Sequence, residues 1–288
     1  MTSPGDEVFD TGLLTEGRLD VAVSGGVATI TLNAPQVRNA QLPATWSALA
    51  HIGSRICDGV CGDVRVVLVR GAGPSFSAGL DRSAFGGGPD SLLATVARQP
   101  PAVADETISG FQGGFGWLAN PLFVSVAAVQ GHAVGAGFQL ALACDLIVAA
   151  DDAQFAMAEV TLGLVPDLGG TGRLVRAVGT ARALEICATG RRVGAAEAVR
   201  IGLAVTAVPA AELDEAVADL AAALTAPDGD AVRGVTRLIT GCADRTVSQQ
   251  LAQERYEQVA RLQALAAARA EVAQGTERSG PDPGAAGS

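Results

Sequence analysis

Two carboxylates and two glycine-rich loops are the parts of this sequence best suited to chemistry. Glu159 stands in Ala156-Met157-Ala158-Glu159-Val160, where apolar residues on both sides give an acid no obvious structural duty. Asp167 follows in Gly163-Leu164-Val165-Pro166-Asp167-Leu168-Gly169-Gly170-Thr171. If both face an apolar pocket, burial raises their pKa toward neutrality and suits them to proton transfer. The competing reading is structural: Asp167 caps a helix starting near Gly169, and Glu159 points to solvent. The loops are Gly71 to Asp81 and Gly131 to Gly137, each following an apolar run that reads as a buried strand. Strands ending in small residues can bring bare backbone N–H groups against a ligand, and two such donors on one oxygen make an oxyanion hole. The second loop leads into an apolar helix expected at about 134–144, whose partly positive N-terminus adds to that attraction.

Other chemistries fit less well. Gly73-Pro74-Ser75-Phe76-Ser77 resembles a nucleophile elbow but lacks the closing glycine, and neither His51 nor His132 is placed to complete a triad. Neither loop supplies the three glycines and distal acid of a dinucleotide fingerprint. Cys57 and Cys61 sit a helical turn apart with no second pair of ligands, so no metal site is expected. All 20 basic residues are arginine, which excludes lysine Schiff-base chemistry and a lysine-bearing phosphate loop. A formal charge of −10 argues against a nucleic-acid partner. An anionic ligand would have to be held locally, by arginines and backbone N–H groups.

The elements that must position these residues follow from the hydrophobic pattern. Residues 21–32 alternate around Gly25-Gly26, the pattern of a hairpin with a two-residue loop. A helix is expected from Pro43 to Val60 with Trp46, Leu49 and Ile52 on one side. Residues 65–70, 123–129 and 146–150 are short apolar runs between helical stretches, the rhythm of an α/β fold with buried parallel strands. Beyond Gly169 the pattern is helical apart from a brief strand at 204–208, and a long amphipathic segment spans 248–272. The expected organisation is an N-terminal extension (1–20), a core domain (21–205), a C-terminal helical region (206–273) and a disordered tail (274–288). Glycines 86 to 88 suggest a segment that orders on binding. With no run of eighteen apolar residues, no signal-peptide layout and an odd number of cysteines, the expected location is cytoplasmic, away from membranes.

The chain resembles the crotonase superfamily, the enoyl-CoA hydratase/isomerase family, from about Val21 to Arg261. The resemblance is carried by Leu32-Asn33-Ala34-Pro35 with Arg38-Asn39-Ala40, by Gly71 to Asp81 and by Gln130 to Gly137. Ala143-Cys144-Asp145, Glu159, Gly163 to Pro166 and Gly169 to Leu174 extend it, and their co-linear order is what makes it specific. It implies a spiral of β-β-α units with a C-terminal helical trimerisation region, assembled as a trimer or dimer of trimers. It also implies an acyl-CoA thioester as substrate, with no cofactor beyond the coenzyme A that the substrate carries. The thioester oxygen would meet the N–H groups of Leu80 and Ala136, and the adenine would meet the backbone at Ala78. Arg38 and Arg82 are candidates for the nucleotide phosphates, or else solvated surface charges. A glycine is common in the family where Ala136 stands, so alanine must tolerate the required dihedrals.

Hydratases of this family resemble one another in carrying two glutamates that hold and activate a water. Here the second corresponds to Glu159, but the first falls on Gln139, and an amide can orient a water without taking its proton. A lone acid at 159 is similar to the arrangement in enoyl-CoA isomerases, and Asp167 falls where other isomerases of the superfamily place an aspartate. The expected function is therefore an enoyl-CoA isomerase using Glu159 and Asp167 as a proton-transfer pair. The alternatives are a hydratase in which Asp167 replaces the lost glutamate, and a non-catalytic acyl-CoA binder. Phe85, Phe111, Phe115 and Trp117 either line the acyl pocket or belong to the core.

Overall fold

The computed structural model describes residues 8–86, 88 and 91–278, so the expectations for the first seven residues, for Gly87 and for the tail from 279 onward lie outside it. Its strands are β1 (Leu19–Ser24), β2 (Val27–Leu32), β3 (Val66–Gly71), β4 (Val124–Val129), β5 (His132–Val134), β6 (Leu146–Ala150), β7 (Gln154–Ala156), β8 (Arg192–Gly194) and β9 (Thr206–Val208). The helices of the larger unit are α1 (Thr11–Gly17), α2 (Pro43–Cys57), α3 (Leu92–Ala97), α4 (Pro101–Gly116), α5 (Ala136–Ala143), α6 (Gly170–Val178), α7 (Thr180–Thr189), α8 (Ala195–Arg200) and α9 (Leu213–Thr225). A second unit begins at Asp228 and holds α10 (Gly229–Thr240) and α11 (Val247–Arg278).

Six strands form the main sheet in the order β1-β2-β3-β4-β6-β9, antiparallel only between β1 and β2. Gly25 and Gly26 both take positive φ (58° and 78°), as a two-residue turn between paired Ser24 and Val27 requires. Every residue of β4 is buried, because helices cover both faces of this central strand. On one face Ile30, Val67, Val69 and Ala127 share a core with Leu49 and Ile52 of α2 and Phe138 of α5. On the other, Leu213, Val217 and Ala221 of α9 close over Val66, Val126, Ala128 and Val148. Arg65 donates to the main-chain carbonyls of Thr225 and Pro227 at the end of α9, where a cation complements unsatisfied carbonyls.

Three domain boundaries need correction. Residues 11–20 are not an extension: α1, capped by Asp10 accepting from Leu13 N at 3.0 Å, leads directly into β1. The core continues through β9 and α9 to Pro227 rather than ending at 205, because α9 is needed to bury the second sheet face. At the other end, α11 runs to Arg278, past the expected tail boundary. A smaller sheet, β5-β7-β8, also went unexpected, and it occupies the start of the predicted 134–144 helix, which begins only at Ala136.

Close packing of α2 gives a first prediction. A methyl at Gly53 would lie 2.4 Å from the Trp117 ring. Gly53→Ala gains up to about 1 kcal/mol of helix propensity. Overpacking costs about 1–3 kcal/mol, so a net loss of stability is expected, read as a lower urea midpoint.

Candidate active site

The two glycine-rich loops do converge. Ser77 N donates to His132 O at 2.8 Å and Val134 N donates to Ser77 O at 3.0 Å, so the first loop pairs with β5 as a short parallel strand. Phe76 N adds a bond to Gln130 O at 2.8 Å. Glycine is required where the chains touch. Gly131 (φ +55°) and Gly79 (φ +87°) lie so close to the other loop that a methyl would stand 2.1 Å from Pro74 O and 2.4 Å from Val134 O respectively. The same methyl position on Gly79 is 3.5 Å from Ala136 N, which sets the residue before Leu80 directly against the second expected donor.

Leu80 is held by its neighbours. Gln41 N donates to Gly79 O and Asp81 N donates to Gln41 O, both at 2.8 Å. In such a parallel bridge the N–H of the residue between points to the opposite side. Among the described residues neither Leu80 N–H nor Ala136 N–H has an acceptor. Ala136 opens α5, where the first amides of a helix are unsatisfied, and its φ is not positive, so alanine replaces the common glycine without strain. Ala78 is pinned by its N–H to Arg38 O at 2.8 Å. Further support comes from Asn39, whose Nδ2 donates to Ala72 O and Ser75 O at 2.8 and 2.7 Å. His132 Nδ1 lies 3.2 Å from Ser75 Oγ, a structural contact, and burial together with Arg192 and Arg38 lowers its pKa.

Both acids join the same cavity, a space of about 520 Å³ whose walls include Ala78, Leu80, Ala136, Gln139, Glu159 and Asp167. A methyl at Gly135 would lie 3.4 Å from Glu159 Oε1, so the carboxylate sits over the residue preceding Ala136. Burial raises the Glu159 pKa, opposed by its own main-chain N–H and the Gln139 amide and reinforced by nearby Asp167. The Asp167 pKa is also raised, by apolar crowding of its carboxyl, although the residue stands at the exposed mouth of the cavity. The capping alternative fails: α6 begins at Gly170, and its N-cap residue is Gly169 (φ +86°), with no side-chain cap. Gln139 is 1 % exposed, and its amide is engaged within the protein rather than open to a water.

The remaining wall is apolar: Trp46, Phe85, Leu92, Leu93, Val96 and Phe111 contribute to it. Of the four expected aromatics, Phe85 and Phe111 therefore line the cavity. Phe115 is buried in the core and Trp117 packs edge-on against Phe123 at 5.8 Å. Sequence reasoning placed Trp46 only on a helix side. Its ring packs against Phe111 at 4.8 Å with the planes tilted by 58°, and its Nε1 donates to Gln41 Oε1 at 2.8 Å, tying the cavity wall to the residue that orients Leu80. Arg38 and Arg82 are exposed and make no side-chain hydrogen bond or ion pair among the described residues. No cluster of metal-ligating residues and no membrane-length apolar helix occurs among the described residues.

The sequence model described as Enoyl-CoA hydratase/isomerase matches residues 22–278. The chain is 32% identical over 229 residues to "Probable enoyl-CoA hydratase echA8" of Mycobacterium tuberculosis, covering 80% of this chain and 83% of that protein. It is 35% identical over 241 residues to the carnitinyl-CoA dehydratase of Escherichia coli K12, covering 84% and 85%. Among solved structures, "a putative enoyl-CoA hydratase" of Thermobifida fusca YX in complex with CoA superposes with a TM-score of 0.81 at 42% identity, covering 89% of this chain and 97% of that one. A second structure under the same description holds acetoacetyl-CoA, with a TM-score of 0.81, 42% identity and coverage of 88% and 98%. The mainly parallel sheet with its flanking helices is the fold of these neighbours.

Proposed function

Because the chain belongs to the enoyl-CoA hydratase/isomerase family, we propose that it binds an acyl-CoA thioester with the carbonyl oxygen on the Leu80 and Ala136 amides and uses Glu159 to move a proton at the adjacent carbon. The observation that carries this reading is the pair of amides, unpartnered among the described residues, beside a half-buried acid. Proton removal next to a thioester places negative charge on the carbonyl oxygen, and one fixed donor there contributes about 3–4 kcal/mol to lowering the barrier. The chemistry needs no cofactor other than the coenzyme A of the substrate. Arg38 and Arg82, whose side chains make no hydrogen bond or ion pair among the described residues, are placed in this reading on the nucleotide phosphates, where guanidinium forks suit the anion. Assembly as a trimer or dimer of trimers belongs to the same reading; on the second unit, apolar Val235 and Ile239 stand 59% and 71% exposed.

The preferred reaction is a double-bond shift in an enoyl-CoA, supported by the engagement of Gln139, which leaves Glu159 and Asp167 as the acids on the cavity wall. Hydration of a 2-enoyl-CoA is the second reading, favoured by the names of the relatives and by Asp167 at the cavity mouth. Incubation with a 2-enoyl-CoA and a 3-enoyl-CoA separates them. The preferred reading gives interconversion of the two esters, whereas rapid hydroxyacyl-CoA formation, abolished equally by Asp167→Asn and Glu159→Gln, favours hydration.

A pH profile follows from the raised Glu159 pKa. The base works ionised, so activity is lost as pH falls through a pKa lying above the ordinary carboxylate value. The profile of kcat/KM is expected to show that limb above the range of an exposed glutamate, and a limb at the ordinary glutamate value would contradict the assignment.

A further inference from the structure

Gln139 is locked in one orientation. Its Oε1 accepts from Leu168 N at 2.8 Å and from Gly170 N at 3.3 Å, while its Nε2 donates to Glu159 Oε1 at 2.8 Å. Turning the amide over would set its NH2 group against two N–H donors and its oxygen against a carboxylate oxygen, so both ends forbid the flip. Gly170 permits the approach, since a methyl there would lie 2.7 Å from Gln139 Cγ. Glu159 depends on this contact: among the described side chains only Gln139 donates to its carboxylate, and Oε2 is buried with no partner.

We propose that Gln139 is a positioning residue, whose locked amide holds the Glu159 carboxylate over Gly135, the residue before the Ala136 N–H, and keeps a second carboxyl out of direct contact with it. The inference rests on the reading of Glu159 as the proton-transfer group. A carboxyl at 139 would share a proton with Glu159 and split its titration into two coupled steps. An amide cannot, so no neighbour shares a proton directly with Glu159, whose place is fixed through Gln139 by main-chain donors 29 and 31 residues along the chain. The other titratable groups acting across this corner are Asp167, on the segment that Gln139 also holds, and Cys187 on α7. By binding Leu168 N, Gln139 also fixes the spacing between the two acids.

The test uses the full chain and exchange of α-hydrogens of butyryl-CoA into deuterated water, followed against pH, with butyryl-CoA affinity measured by calorimetry. For wild type a single limb is expected. Gln139→Glu retains volume and an acceptor for Leu168 and Gly170, and it is expected to replace that limb by two, the upper at least about one pH unit higher. Gln139→Met is expected to exchange about 10–100-fold more slowly, because a displaced base loses its alignment. Affinity is expected to change far less. Either variant following the wild-type profile and rate would overturn the proposal, and should Gln139→Met not fold, Gln139→Glu decides alone. Wild type that binds butyryl-CoA without exchanging it would instead overturn the reading of Glu159, and this proposal with it.

Discussion

Glu159→Gln is expected to lower turnover of an enoyl-CoA by about 10²–10⁴-fold, the usual contribution of a positioned acid or base. The substitution keeps the shape of the side chain and offers Gln139 Nε2 an amide oxygen in place of Oε1, so the contact at 2.8 Å has a ready replacement. What disappears is the ability to take a proton. Affinity for the thioester is expected to stay near wild type, because the amides of Leu80 and Ala136 are untouched. Stability supplies an independent readout with the opposite sign. A carboxyl whose folded pKa is raised binds its proton more tightly in the fold, so wild-type stability falls as pH rises from the ordinary carboxylate pKa through the folded one. Glu159→Gln lacks this loss and is expected to be more stable than wild type above that window, with the advantage shrinking at acid pH. Urea midpoints at two pH values check it; an advantage independent of pH would contradict burial of an ionising group.

Ala136→Pro is expected to reduce turnover by about 10²–10³-fold, the effect of removing one oxyanion-hole donor. Ala136 is the first residue of α5, and its N–H has no acceptor among the described residues. Proline is well tolerated at a first helical position, where its missing N–H breaks no helix bond. The fold should therefore survive a change that replaces the amide hydrogen by a ring carbon. The expected pattern is lost turnover with free coenzyme A binding retained, measured by steady-state kinetics and calorimetry. Wild-type turnover in a folded Ala136→Pro protein would mean that this amide does not serve the reaction.

The parts of the molecule legible in the sequence are those whose signal is local. The hairpin at Gly25-Gly26 and the strand at 146–150 were found because a positive-φ pair and a continuous apolar run announce themselves within a few residues. Strands β5, β7 and β8, three residues each, are too short for any periodicity to show. Asp10, three residues before Leu13, is a legible cap signal for α1. Pro227-Asp228-Gly229 likewise marked the start of the second unit, with Asp228 capping α10. At the site, Glu159 stands out because an acid among apolar residues is anomalous in one dimension. Gln139 is marked only by the family resemblance, as the place of a missing glutamate; its positioning role is not legible, since its partners are the Leu168 and Gly170 main-chain amides and exist only once the chain has folded. Trp46 was hidden for a related reason: a helix face that packs on the core and one that lines a cavity have the same period.

The most direct measurement is the carbonyl stretching frequency of a saturated acyl-CoA carrying ¹³C at the thioester carbonyl, taken bound and free by infrared difference spectroscopy. Two N–H donors on one oxygen weaken that bond, so the bound band is expected at lower frequency than in water, and the shift should diminish in Ala136→Pro. A bound ester whose band stays at or above its frequency in water would contradict the convergence of Leu80 and Ala136 on the thioester oxygen.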